Sequence, residues 1–111
     1  MPYADRAKLA ALFAKEVETF KAKHPGSFTR HQKALGPMMG GVPMSWMAKW
    51  PGGYPVYVAH AKGSRFTDVD GIEYVDFCLG DTGAMVGHSP DAAISAIAKQ
   101  LTKGITFMLP T

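Results

Sequence analysis

With 111 residues the chain has room for one modest hydrophobic core, and no apolar run approaches the roughly 18 residues that a membrane span needs. No charged-then-apolar leader opens it, and the single cysteine, Cys78, excludes an internal disulfide, so a reducing cytoplasm is expected rather than secretion. The net charge of +3 is uneven: residues 1–35 carry seven Lys/Arg against three Asp/Glu, and residues 36–111 carry five against six.

The basic N-terminal third reads as a solvated helix face. Its cations are interleaved with Glu16 and Glu18, and no aromatics stand among them as base-stacking platforms, so no nucleic-acid partner is expected. A first helix is predicted from Tyr3 to Lys23. Leu9, Leu12, Phe13, Val17 and Phe20 recur at spacings of three and four and make one apolar stripe. His24-Pro25-Gly26 stops that helix. A stripe of this length must be buried on something, and no partner for it is evident within the chain. Ser27 is placed to cap a short second helix through Leu35, ended by Gly36-Pro37.

Met38 to Pro55 is rich in Gly, Pro, Met and Trp. It is too broken for a helix and too apolar for a linker, and reads as an extended arm lying against another, protein surface. Three strands are predicted next: Pro55–His60, Arg65–Val69 after a turn at residues 61–64, and Ile72–Leu79. Asp70-Gly71 between the last two suggests a type I′ hairpin. The third strand would place Tyr74, Asp76 and Cys78 on one face, with Cys78 buried.

A glycine-rich loop, Gly80 to Gly87, leads into a helix with Ser89 as its cap, Pro90 at its first position and Asp91 in its first turn. The stripe Ile94, Ile97, Ala98 and Leu101 follows, and Lys103-Gly104 closes it. The fold class is therefore α+β. It divides into a helical segment (1–36), the arm (37–55), and the meander, glycine loop and last helix (56–111).

Several chemistries fail on position. The glycine loop lacks the Lys-Ser/Thr of a P-loop and the spacing of a dinucleotide turn, and Pro90 with Asp91 disfavours an anion at the helix start. Asp68-Val69-Asp70-Gly71 begins like a calcium loop, but the first and twelfth ligand positions would be Phe66 and Phe77. His24, His31, His60 and His88 share no metal-ligand spacing with each other or with Cys78. His88 reads as a structural residue at the helix entry. Asp81 and Thr82, a carboxylate beside a hydroxyl among glycines, either present polar groups to a ligand or satisfy loop amides; both readings stay open.

Residues 63–77 (Gly-Ser-Arg-Phe-Thr-Asp-Val-Asp-Gly-Ile-Glu-Tyr-Val-Asp-Phe), the glycine loop, and Gly87-His88-Ser89-Pro90 with its helix resemble the N-terminal portion of class III aminotransferases. These are fold-type I enzymes with a larger α/β fold, dependent on pyridoxal 5′-phosphate. The flavour is that of the glutamate-1-semialdehyde 2,1-aminomutases and β-phenylalanine aminotransferases. Gly40-Gly41-Val42 matches a turn before the first strand, and the resemblance covers roughly residues 36–111.

The resemblance implies that an amino group moves between an amine or amino acid and a keto compound, or shifts within one molecule. It implies a homodimer across which the N-terminal helices and arm pack. It places Ser45, Trp46, Asp81 and Thr82 on the substrate side, with no catalytic, cofactor-binding or metal-binding residue in this chain. The lysine that would hold the cofactor's aldehyde is expected beyond the point matching Thr111, since Lys99 and Lys103 do not match it, so the chain by itself is expected to be inactive.

Two departures bear on substrate. The arm reads Pro43-Met44-Ser45-Trp46-Met47 where several relatives place an arginine, leaving Lys49 without the bidentate fork of a guanidinium. The glycine-loop aromatic of the aminomutases is also missing at Thr82. The rival reading from another class is a self-contained α+β module whose Met/Trp arm docks onto a partner.

Overall fold

The computed structural model describes residues 5–81 and 83–110. The first helix, α1 (Arg6–Lys23), begins later than its periodicity suggests because the Asp5 side chain accepts the Lys8 amide and fixes the start there. The expected start at Tyr3 lies outside the described residues. His24 ends α1, and Pro25 opens α2 (Pro25–Ala34) at the position where a missing amide costs nothing. Ser27 is therefore not a cap. It lies inside α2, fully buried, and the α2 amides that need an acceptor find one on a distant hairpin.

The arm is not fully extended: it coils into two short 3₁₀ turns, Met39–Gly41 and Ser45–Ala48. Gly40 and Gly41 both stand at positive φ (68° and 69°), which explains the glycine pair at this turn.

The strands are shorter than alternation predicts and the first is shifted: β1 (Val58–Lys62), β2 (Arg65–Asp68) and β3 (Glu73–Val75), hydrogen-bonded in that order. The β2–β3 turn is not type I′, because only Gly71 has positive φ (84°). The Asp68 carbonyl accepts the Gly71 amide and the Asp68 amide donates to Ile72, making a three-residue loop with glycine in the left-handed position. Asp70 is thereby freed from a left-handed geometry and its side chain is aimed elsewhere.

The last helix, α3 (Asp91–Leu101), has Pro90 rather than Ser89 as its N-cap, with no side-chain cap bond. Ser89 sits at φ 51°, outside the extended conformation that an N-cap ordinarily adopts. Lys62 instead reaches this entry, donating to the Ser89 carbonyl and pairing with Asp91.

Two compact units divide the chain. One holds the sequence up to Ala59 together with Thr67–Ile72; the other holds His60–Phe66 and everything from Glu73 onward. The core of the first is aromatic: Tyr54 is 5% exposed, its ring lies 5.0 Å from Phe20 and 5.3 Å from Phe28, and Phe20 stacks on His24 at 4.3 Å. A Cβ on Gly52 would fall on the Phe20 ring. Gly52→Ala is accordingly expected to cost about 1–2 kcal/mol, read as a fall in urea midpoint with unchanged slope.

Among the described residues none of α1 or α3 is buried. Leu9, Leu12 and Phe13 on one, and Ile94, Ile97 and Leu101 on the other, keep about half their surface. Phe20 at the end of the α1 stripe packs into the aromatic core, while the rest of that stripe and the stripe of α3 stay largely uncovered, and among the described residues no helix is long and apolar enough to cross a membrane.

Candidate functional site

Ser45 and Trp46 lie together on the second 3₁₀ turn, in the first unit. Trp46 faces an open apolar groove of about 450 Å³ shared with Val42, Met47, Trp50, Tyr57 and Val58; among the described residues Lys49 is its one cation and no carboxylate lines it. Ser45 borders a neighbouring hollow with Met38 and Met39. The groove keeps its shape through Tyr57, whose hydroxyl donates to the Gly41 carbonyl at 3.0 Å and whose amide donates to Ser27 Oγ at 3.2 Å.

Asp81 belongs to the second unit, and Thr82 lies outside the described residues. Leu79, Gly80 and Asp81 stand consecutively at φ 51°, 62° and 58°. Two non-glycine residues in the left-handed region store about 1–2 kcal/mol each. Such outliers collect at ligand-binding loops. Amide bonds from Gly83 to Gly80, Ala84 to Leu79 and Gly87 to Ala84 close the loop on itself. Asp81 is exposed, and its carboxylate accepts from the Cys78 thiol at 3.6 Å. Cys78 is itself exposed, not buried as alternation suggested, because β3 ends at Val75 and the chain turns before it.

The loop is anchored by a pair that sequence spacing did not single out. His88 Nε2 lies 2.7 Å from Asp76 Oδ2, while Asp76 Oδ1 accepts the amides of Cys78 and Leu79. The His88 hydrogen bond, aided by those two amides, holds the Asp76 carboxyl below the usual carboxylate range. His88 is thus a structural clamp at the helix entry, as expected.

The first unit holds a second cluster that no local pattern betrays. Asp70 accepts the Gly26 amide at 2.5 Å and both the amide and hydroxyl of Ser27 at 2.9 Å. Asp68, 2% exposed, accepts the amides of Asp70 and Ile72 and lies 3.5 Å from His24 Nε2. His24 Nδ1 donates to the Phe20 carbonyl. These partners are more than forty residues apart in sequence.

Every lysine in the chain is exposed, and the α3 entry presents Asp91 and an amide-less proline where an anion would sit.

No protein-family model matches the chain. The glutamate-1-semialdehyde 2,1-aminomutase of Thermodesulfovibrio yellowstonii is 39% identical over 82 residues, which are 73% of this chain and 19% of that protein. Among solved structures, a glutamate-1-semialdehyde aminomutase from Pseudomonas aeruginosa PAO1 superposes with a TM-score of 0.88 at 45% identity, over 96% of this chain and 24% of its own. A transaminase with PLP bound gives 0.71 at 36% identity, over 78% of this chain and 20% of its own. The chain spans about a fifth of the length of the curated relatives it matches.

Proposed function

We propose that this chain, a homologue of the glutamate-1-semialdehyde aminomutases with the architecture of the class III pyridoxal-phosphate enzymes, forms the N-terminal part of such an enzyme. In that protein it walls the substrate side while an amino group moves between an amine or amino acid and a keto compound. Pyridoxal phosphate, when bound, supplies the electron sink for that chemistry, and residues other than these hold it. Trp46 and its groove take the hydrocarbon part of the substrate, and Ser45, Asp81 and Thr82 supply polar contacts. The bare faces of α1 and α3 and the exposed Trp46 and Met44 are covered by the rest of the enzyme and by a second subunit of a cytoplasmic homodimer.

The observation that carries this reading is the 45% identity sustained over 96% of the chain at a TM-score of 0.88. The same observation supports a second reading, an amino shift within one molecule, because that neighbour is an aminomutase. The missing arginine in the arm weighs toward transfer, since Lys49 cannot grip a carboxylate bidentately. Assaying the protein that carries this chain, with the cofactor, separates them: transfer needs a keto acceptor in stoichiometric amount, and an internal shift proceeds without one. Turnover of neither kind would overturn both.

The 111-residue chain alone is expected to take up no cofactor. After incubation with pyridoxal phosphate and reduction with borohydride, peptide mass mapping should find no lysine labelled above a denatured control. One stoichiometrically labelled lysine would refute this.

A further inference from the structure

We infer that Asp70 is a positioning residue for the tryptophan groove, acting through Ser27 and Tyr57. The chain of contacts is continuous within the first unit. The Asp70 carboxylate accepts the Ser27 hydroxyl proton at 2.9 Å, so the lone pairs of Ser27 Oγ are turned to the Tyr57 amide at 3.2 Å. Tyr57 then spans to the Gly41 carbonyl with its own hydroxyl and forms one wall of the groove that Trp46 and Trp50 share. Ser27 has no exposed surface, so water cannot replace either partner without opening the unit. Gly26 is a glycine because a Cβ there would stand 2.7 Å from Asp70 Oδ1.

The device requires a charged acceptor. Three donors converge on the Asp70 carboxylate: two amides and the Ser27 hydroxyl. A neutral acid or an amide at this position carries hydrogens of its own, which meet donors head-on, and Ser27 cannot reverse because its oxygen already accepts from Tyr57. The charged and titratable groups around it are His24 at the α1–α2 joint, Asp68 on β2 and Tyr54, with Lys21 of α1 acting on Tyr54. Burial pushes the Asp70 carboxyl up, but the Ser27 and Gly26 amides, the Ser27 hydroxyl and His24 outweigh it and hold it below its ordinary range. The clamp's contribution is therefore fully present above about pH 3.9, the unfolded carboxyl value, and is lost as pH falls through the lower folded one.

The bearing of this clamp on catalysis rests on the proposed substrate role of Trp46; the clamp itself does not, so the experiment reads the groove and not turnover. The chain has two tryptophans, Trp46 and Trp50, and both line the groove, so intrinsic fluorescence reports on it directly. Asp70→Asn is expected to red-shift that emission at neutral pH, reproducing what acid does to the wild-type chain, and to abolish the acid-dependent step. Exchange protection of the Tyr57 amide should fall about tenfold, the loss of one hydrogen bond. Tyr57→Phe, which removes only the bond to Gly41, should shift the emission while leaving the Gly26 and Ser27 amides protected, and remains readable if Asp70→Asn unfolds. Wild-type emission in both variants, or an acid step persisting in Asp70→Asn, would overturn the inference.

Discussion

Asp68→Ala is expected to cost the first unit about 3–5 kcal/mol, the range for removing one partner of a buried charged cluster. The carboxylate is 2% exposed and receives the Asp70 and Ile72 amides at 2.9 and 2.8 Å, with His24 Nε2 at 3.5 Å. Truncation takes the acceptor from two half-buried amides, and His24 loses the carboxylate it faces. The hairpin and the α1–α2 joint then separate, because Asp70 can present its own carboxylate to α2 only while Asp68 holds the loop. Asp68→Asn keeps one acceptor oxygen for the amides and should cost clearly less. Urea denaturation followed by the fluorescence of Trp46 and Trp50 measures both. A fall in stability below about 1 kcal/mol for the alanine variant would show that the loop holds itself, since an ordinary exposed hydrogen bond is worth no more.

The same cluster shows where sequence reasoning stops. The α1 stripe and its His24-Pro25 breaker are local facts, and α1 ends where they predict. Ser27 looked like a cap because serine often is one, yet the residue that satisfies the α2 amides comes 43 positions later. Asp70-Gly71 marked the right place for a turn but not its type, because the first loop residue, Val69, has no local signature. Ser89-Pro90-Asp91 located α3 to within one residue; Ser89 misses the cap because it stands at φ 51°, not in extended backbone. Cys78 was misplaced because alternation says nothing about where a strand stops. The candidate site was legible only as a family likeness. Physical chemistry gives reasons for Trp46 to line an apolar groove and for Asp81 to stand exposed on a strained loop, but residue type alone did not place them there. Much of the apolar faces of α1, α3 and the arm follows the opposite logic: the sequence flagged them as needing partners, and beyond Phe20, Val42 and Tyr54, which enter the core, the structure leaves Leu9, Phe13, Met44, Trp46 and Ile97 about half exposed.

Gly87→Ala should be the most damaging small substitution in the second unit, at about 2–4 kcal/mol. Gly87 stands at φ 91°, where an L side chain is strained by roughly 1 kcal/mol or more. A Cβ there would also lie 3.0 to 3.2 Å from the Cα, carbonyl carbon and oxygen of Gly63. Those are backbone atoms, and they cannot rotate away. Gly63 and His88 exchange two hydrogen bonds at 2.9 and 2.7 Å, so relief of the clash breaks that bridge, at about 1 kcal/mol for each bond. His88 then loses its aim at Asp76, and the loop carrying Asp81 loses its anchor. Gly80→Ala is the control: Gly80 has φ 62°, lies on the same loop and meets nothing within 4 Å, so it bears the backbone strain without the collision. Amide exchange at Gly63 and His88 should lose protection in Gly87→Ala and keep it in Gly80→Ala. Equal losses in the two variants would mean that conformational strain alone, and not the approach of Gly63, requires glycine at position 87.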